Sequence, residues 1–267
     1  MDILKRSLAP ITDGAWSEID NQAKDILISN LTARKLIDVS KPQGFGFSAV
    51  SFGRLHIPAN QKSNGVSYGI HKVQPLIETR IAFELEIWEL DNYVRGAKDI
   101  ELDAVVKASK KLAEFEETAI YHGFKDAKID GLIHSAGYDD VTFKISQANF
   151  IAAVANVVNN MIQNGINGPY KLAINPELWA NLESGSTGYP LHRRLNEYVD
   201  DTIVFVPAIK DALIMSTRGG DAELTLGQDI SIGYMSHTSE KVKLFLTESF
   251  TFNVLEPLAV APLKSKK

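Results

Sequence analysis

Near the C-terminal end of the chain lies a strand pattern too long to stand alone. From Lys241 to Leu255, the residues Val242, Leu244, Leu246, Phe250, Phe252 and Val254 occupy even positions, with mostly polar residues between them. Alternation with a period of two marks a β-strand that turns one face to a core. Such a strand carries unpaired amides and carbonyls along both edges, so other strands must flank it. The first candidate precedes it, at Arg218 to Tyr234. There Gly219 and Gly220 can supply the positive φ of a tight turn. Leu224 and Leu226 alternate with polar residues, and Ile230 and Ile232 resume the alternation until Gly233 breaks it. The rest of the chain must supply the remaining neighbours.

Composition narrows what such a chain does. Its 267 residues suffice for one large domain or two modest ones, and 45% hydrophobic with 23% charged residues is the balance of a folded chain. A net charge of −5 gives no general attraction to phosphate backbones, so packaging of DNA is not expected. The absence of cysteine removes disulfides, thiolate metal sites and cysteine nucleophiles together. No apolar run reaches the roughly eighteen residues of a membrane span, and no signal-peptide core follows Met1. The expectation is a soluble, cytoplasmic protein.

Taken in order, the chain opens with an extended arm through Pro10, and Thr12 or Asp13 caps a helix whose stripe is Trp16, Ile19, Ala23, Ile26, Leu27 and Leu31. Residues 41–73 read as a long glycine-punctuated hairpin with turn chemistry at Asn64-Gly65. Leu76 to Leu90 reads as a strand with Ile77, Ile81, Phe83, Leu85 and Ile87 on one face and Arg80 and Trp88 on the charged face. Trp88 there either covers an interface or packs under a loop, and Arg80 beside it makes stacking of a planar anionic ligand feasible. Asp99 is expected to cap the longest helix, which runs to about His122 and ends at Gly123. Its Glu114, Glu116 and Glu117 read as a solvated acidic face, because Glu117 to His122 lacks a metal-ligand spacing. An α/β region follows, with a Ser146-capped helix to about Gln163, a strand at Tyr170 to Asn175, a Gly/Ser/Thr-rich loop at Glu183 to Pro190, and strands near Thr202 to Val206 and Asp211 to Thr217.

Catalytic signatures are missing. Gly185-Ser186-Thr187-Gly188 lacks the spacing of a nucleophile elbow, and no zinc-protease, P-loop or EF-hand pattern occurs. An enzyme reading rests only on an unseen pocket.

Several fragments taken together resemble one family. Leu4-Lys5-Arg6 with Leu8-Ala9-Pro10, Gly168-Pro169-Tyr170, Tyr189-Pro190, Arg218-Gly219-Gly220-Asp221, Leu226-Gly227-Gln228-Asp229 with Ser231-Ile232-Gly233-Tyr234, and Glu248-Ser249-Phe250-Thr251-Phe252 resemble the encapsulins, the linocin-type shell proteins of family 1. The resemblance implies an α+β Hong Kong 97-type phage capsid fold. Residues 1–40 would form the arm and helix of a peripheral domain, 41–90 an extended loop and return strands, 91–140 the spine helix, 141–217 an axial domain, and 218–267 the return to the peripheral domain. It further implies a homo-oligomer of sixty copies or a multiple of sixty, closed around cargo enzymes such as a ferritin-like protein or a dye-decolorizing peroxidase. A phage capsid proper fits less well, given the acidic balance and the encapsulin-type N-terminal helix. A hydrolase, protease-like or bacteriocin-like, is the alternative class.

The resemblance also assigns sites. A C-terminal cargo peptide would dock at Leu31, Arg34, Asp38 and Val39, over an apolar floor of Ile230, Ile232 and Leu246; alternatively, Arg34 and Asp38 simply pair with each other. Glu183, Ser184, Gly185, Ser186, Thr187, Gly188 and Tyr189 would line a fivefold pore, with Glu183 favouring cations. Trp88-Glu89-Leu90-Asp91 looks like the surroundings of a flavin-stacking tryptophan in some members. That likeness implies FMN or riboflavin on Trp88, with Arg80 on its polar part, as an optional cofactor that the shell does not require; no metal site is expected.

Overall fold

The computed structural model describes residues 3–59, 65–184, 188–200 and 202–266. In chain order these form helix α1 (Asp13–Asn30), strands β1 (Asp38–Val39), β2 (Ala49–His56), β3 (Ile70–Pro75) and β4 (Ile77–Glu86), helices α2 (Ile87–Val94), α3 (Asp103–His122) and α4 (Leu132–Ser135), strand β5 (Val141–Lys144), helix α5 (Gln147–Gln163) and strand β6 (Tyr170–Ile174). Helices α6 (Pro176–Ser184) and α7 (Leu191–Leu195) follow, then strands β7 (Val204–Phe205), β8 (Ala212–Ser216), β9 (Ala222–His237), β10 (Lys241–Val254) and β11 (Val260–Lys266).

The long strand β10 finds its neighbours in a four-stranded sheet of order β1-β9-β10-β4. Both adjacent strands run antiparallel to it, so Leu246 stands against Ile232 on β9 and Ile81 on β4. Its even-numbered face packs on the helices: Val242, Leu244 and Leu246 share a core with Trp16, Ile19 and Leu112. Farther along, Phe250 and Phe252 share another with Ile120 and Leu132. Between the two cores the same face carries Glu248, fully buried. Gly233 breaks the alternation because a Cβ there would stand 2.3 Å from the Phe245 ring. At the start of β9, Gly219 and Gly220 take φ of 89° and 80° in the expected turn.

Helix α1 begins where its cap predicts, with the Thr12 hydroxyl accepting from the Ala15 N–H. Helix α3 starts at Asp103, four residues beyond the expected cap Asp99. A larger difference concerns β4, which ends at Glu86 where its ladder with β10 runs out at Lys241. With no partner strand left, the chain turns into α2, and Trp88 sits in that helix instead of on the charged face of a strand.

The middle of the chain forms a second, five-stranded sheet of order β5-β11-β8-β6-β7. Phe150, Val154 and Val157 of α5 pack on it together with Leu178 and Leu191. Strand β11 lies between β5 and β8, so the C-terminal segment divides after β10 instead of staying wholly with the first sheet. The β2–β3 hairpin is a separate two-stranded ribbon. Among the described residues, no helix is long and apolar enough to cross a membrane.

Candidate functional site

A groove of about 580 Å³ runs between α1 and β9. The 3.6-residue stripe of α1 is wider than its own core needs. Trp16, Ile19 and Ala23 are buried, whereas Ile28, in the last turn, is exposed. Ile28 with Leu27 and Leu31 forms one wall, and Ile230, Ile232 and Leu246 form the floor. The N-terminal arm contributes Leu4 and Arg6. It is fastened in place: the Tyr234 N–H donates to the Leu4 carbonyl at 2.7 Å, and Arg6 forks onto Asp20 at 3.2 and 2.7 Å while stacking 4.0 Å over Trp16.

Beneath the groove, Arg34 ties three elements together. Its guanidinium donates to both oxygens of Glu116 on α3 (2.9 and 2.6 Å), to Glu248 on β10 (2.6 Å) and to Asp229 on β9 (3.0 Å). Glu116 and Glu248 have fully buried side chains, while that of Asp229 is 46% exposed at the groove. Burial works against the charge on Arg34, but the Glu116 hydrogen bond and the three carboxylates outweigh it and hold the proton more tightly than usual. Three carboxylates against one cation cannot all ionise cheaply in a dry site. Burial first, and the neighbouring Glu116 second, push the Glu248 acid well up. Its Oε1 accepts from Arg34, and its buried Oε2 has no hydrogen-bond partner among the described residues.

A second carboxylate fastens the turn that carries Leu31 and Arg34. Glu117, buried on α3, accepts from the Thr32 hydroxyl and from the Ala33 N–H at 2.8 Å, and Thr32 also meets the Tyr121 hydroxyl at 3.1 Å. Burial pushes Glu117 up to about 7. The expected solvated acidic face of α3 is therefore wrong for Glu116 and Glu117, which point inward as anchors for residues 31–35.

The structure brings together five of the seven residues the sequence assigns to cargo docking: Leu31, Arg34, Ile230, Ile232 and Leu246. Asp38 and Val39 lie elsewhere. They form β1 alongside Glu223 and Leu224, and the Asp38 carboxylate accepts from the Gly220 N–H at 2.6 Å, closing the glycine turn. The alternative pairing of Arg34 with Asp38 does not occur. Sequence reasoning missed Asp229, Glu116 and Glu248. One signal was available, because Glu248 falls on an even position between Leu246 and Phe250 and so lies on the buried stripe.

The two residues expected to hold a flavin do not share a site within the protomer. Trp88 is on α2, 73% exposed. Arg80 stacks 4.4 Å over Phe245 and pairs with Glu78 at 3.4 Å, about 20 Å of strand from the end of β4 at 3.3 Å per residue. In the expected pore loop, Glu183 and Ser184 end α6, Gly185, Ser186 and Thr187 lie outside the described residues, and Tyr189 is exposed.

Residues 1–251 match the family described as "encapsulating protein for peroxidase". The type 1 encapsulin shell protein of Mycolicibacterium paratuberculosis is 35% identical over 99% of this chain and all of its own length. The chain is an encapsulin shell protein. Among solved structures, this encapsulin superposes on a virus-like particle from Pyrococcus furiosus with a TM-score of 0.63 at 17% identity, covering 91% of this chain and 98% of the other. The capsid of the Myoviridae phage XM1 gives 0.54 at 13% identity, over 88% and 92%. The fold is therefore the Hong Kong 97-type capsid fold. An encapsulin with capsid neighbours is a structural, multi-copy shell component and not an enzyme, so the hydrolase reading falls away.

Proposed function

We propose that this encapsulin closes into a shell of sixty copies or a multiple of sixty, and that the groove between α1 and β9 holds the C-terminal tail of a guest enzyme against the inner wall. The observation that carries this reading is the groove itself. Its apolar lining, with exposed Ile28 and half-exposed Ile230, is left uncovered by the chain, yet its shape is fixed from below by half-buried Arg34 on the buried carboxylates Glu116 and Glu248. A preformed apolar groove with polar rims suits a short extended or helical peptide. Two guest classes fit: a peroxidase, named in the family description, and a ferritin-like protein. Glu183 to Tyr189 would line an opening for ions and small substrates.

The test is Ile230→Asp. The carboxylate would stand on the groove floor without entering the core beneath it, so shells should assemble at normal yield while guest content falls about tenfold or more, the effect of losing an apolar anchor to a charge. Unchanged guest content by quantitative mass spectrometry would refute the docking role.

A further inference from the structure

We propose that the turn carrying Leu31 and Arg34 is a proton-dependent latch: it closes on the carboxyl groups of Glu117 and Glu248 while they hold protons, and it opens when alkali removes them, loosening the groove wall and the guest tail on it. The proposal rests on the docking reading above and adds a control to it.

All the donors of the clamp lie on one short stretch of chain. The Thr32 hydroxyl and the Ala33 N–H donate to Glu117, and the Arg34 guanidinium donates to Glu116, Glu248 and Asp229. The acids stand on α3, β9 and β10, which are held along their length by helical bonds or by the sheet ladder. The donors sit on or beside the single 3₁₀ turn Ala33–Lys35, closed by Lys35 N–H to the Thr32 carbonyl (3.1 Å) and Leu36 N–H to the Ala33 carbonyl (2.8 Å). So short a turn opens locally at less cost than a long helix or central strand. Strain placed on the acids is therefore relieved at the turn.

Protonation sets that strain. Glu116, Glu117, Asp229 and Glu248 surround one cation, Arg34, and among the described residues no second cation pairs with any of them. Tyr121 also meets Thr32, and burial holds its proton in place. Arg6, paired with Asp20, and Lys24 and Lys35 line the groove above without reaching these acids. Asp229 is half-exposed and keeps its charge in contact with water. Glu248 has no such outlet, because its Oε2 is buried without a hydrogen-bond partner, and ionising it leaves charge in a dry site. Burial raises Glu117 to about 7, and burial followed by Glu116 moves Glu248 in the same direction. The closed turn thus holds protons that an opened, hydrated one releases. For Glu117 the closed form has its full advantage below 4.5 and loses it as pH rises through about 7. Opening draws Leu31 and Arg34, both lining the groove, away from Ile230 and Leu246 on its floor.

The experiment measures residue-resolved amide protection, the exchange rate relative to that of the free chain at the same pH, in intact shells with and without their native guest at about pH 6 and about pH 8.5. A shift of Glu117 from 4.5 to about 7 alone predicts about a tenfold loss of protection over that interval at Leu36 and Ile37, whose amides both bond the Ala33 carbonyl. The Val206 amide, bonded to the Ile174 carbonyl in the second sheet, should keep its protection. In Glu117→Gln/Glu248→Gln shells the loss at Leu36 should shrink to within about twofold, each ratio being taken within one shell so that any offset from the substitutions cancels. In loaded shells the C-terminal peptide of the guest, followed by mass spectrometry, should lose protection in step with Leu36. Equal protection of wild-type Leu36 at the two pH values, a loss that persists in the double variant, or an equal loss at Val206 would overturn the latch and leave the docking reading standing. An opened turn with an unchanged guest tail would overturn the control of the guest and count against the docking reading as well. Should the double variant fail to assemble, the wild-type comparison of Leu36 with Val206 decides alone.

Discussion

Two regions of this encapsulin expose apolar side chains, and they do so for opposite reasons. The groove between α1 and β9 is concave, and its backbone is fixed by buried groups: Glu117 holds the turn at Thr32 and Ala33, and Arg34 is locked to Glu116 and Glu248. The β2–β3 hairpin exposes Phe52, Leu55, Ile57, Ile70 and Val73 with no core of its own. A lone two-stranded ribbon is marginal in water, so its apolar residues call for cover by other copies in the shell. The difference teaches where each function resides. On the proposed function, the surface with rigid support receives the guest, and the surface without support is completed by assembly.

That contrast breaks most visibly at the hairpin. Replacing Leu55 and Ile70 together with Asp should abolish shells in size-exclusion chromatography and microscopy while the protomer keeps its circular dichroism spectrum. Intact shells would show that the hairpin is not an assembly element. Next in size is Arg34→Ala, which strands Glu116 and Glu248 without their cation. Breaking a buried pair from one side costs about 3–5 kcal/mol, so soluble shell yield and denaturant midpoint should both fall sharply. A change under about 1 kcal/mol would mean that the groove is not held from below.

The third effect is a pH dependence. Glu117 is raised from 4.5 to about 7 by burial, so between those values the folded chain keeps a proton that the unfolded chain releases. The stability from its neutral form is fully present below 4.5, declines as pH rises through about 7 and is then lost, a span of about 3 kcal/mol. Glu248 shifts in the same direction. Urea midpoints at about pH 5 and about pH 8 should differ more in the wild type than in Glu117→Gln; equal differences would contradict the assignment. The smallest effect belongs to Glu248→Gln. Burial favours the neutral form of this acid, which an amide matches in shape, so stability should change by less than about 1 kcal/mol, far less than for Arg34→Ala.

The strands and helices were legible where local pattern and tertiary demand agree. The Thr12 cap, the stripe of α1, the period of β10 and the glycine turn at Gly219 and Gly220 all needed only near neighbours. Reading failed where distant residues decide. The alternation around Trp88 continues past Glu86, yet β4 stops where β10 offers no further partner. Glu116 and Glu117 look solvated on a helical wheel, but Arg34 and Thr32, more than eighty positions away, turn them inward. Asp38 lies four residues from Arg34 in sequence, and its partner is Gly220, 182 positions on. The apolar half of the candidate site was thus visible in the sequence and its polar foundation mostly was not.

The most direct test of the groove as the guest site is a cryo-electron-microscopy map of shells purified with their native cargo. The account predicts continuous peptide density on the lumen side, between α1 and the stretch of β9 from Asp229 to Ile232. Density for the guest tail elsewhere on the wall, or a groove facing the outside of the shell, would contradict it.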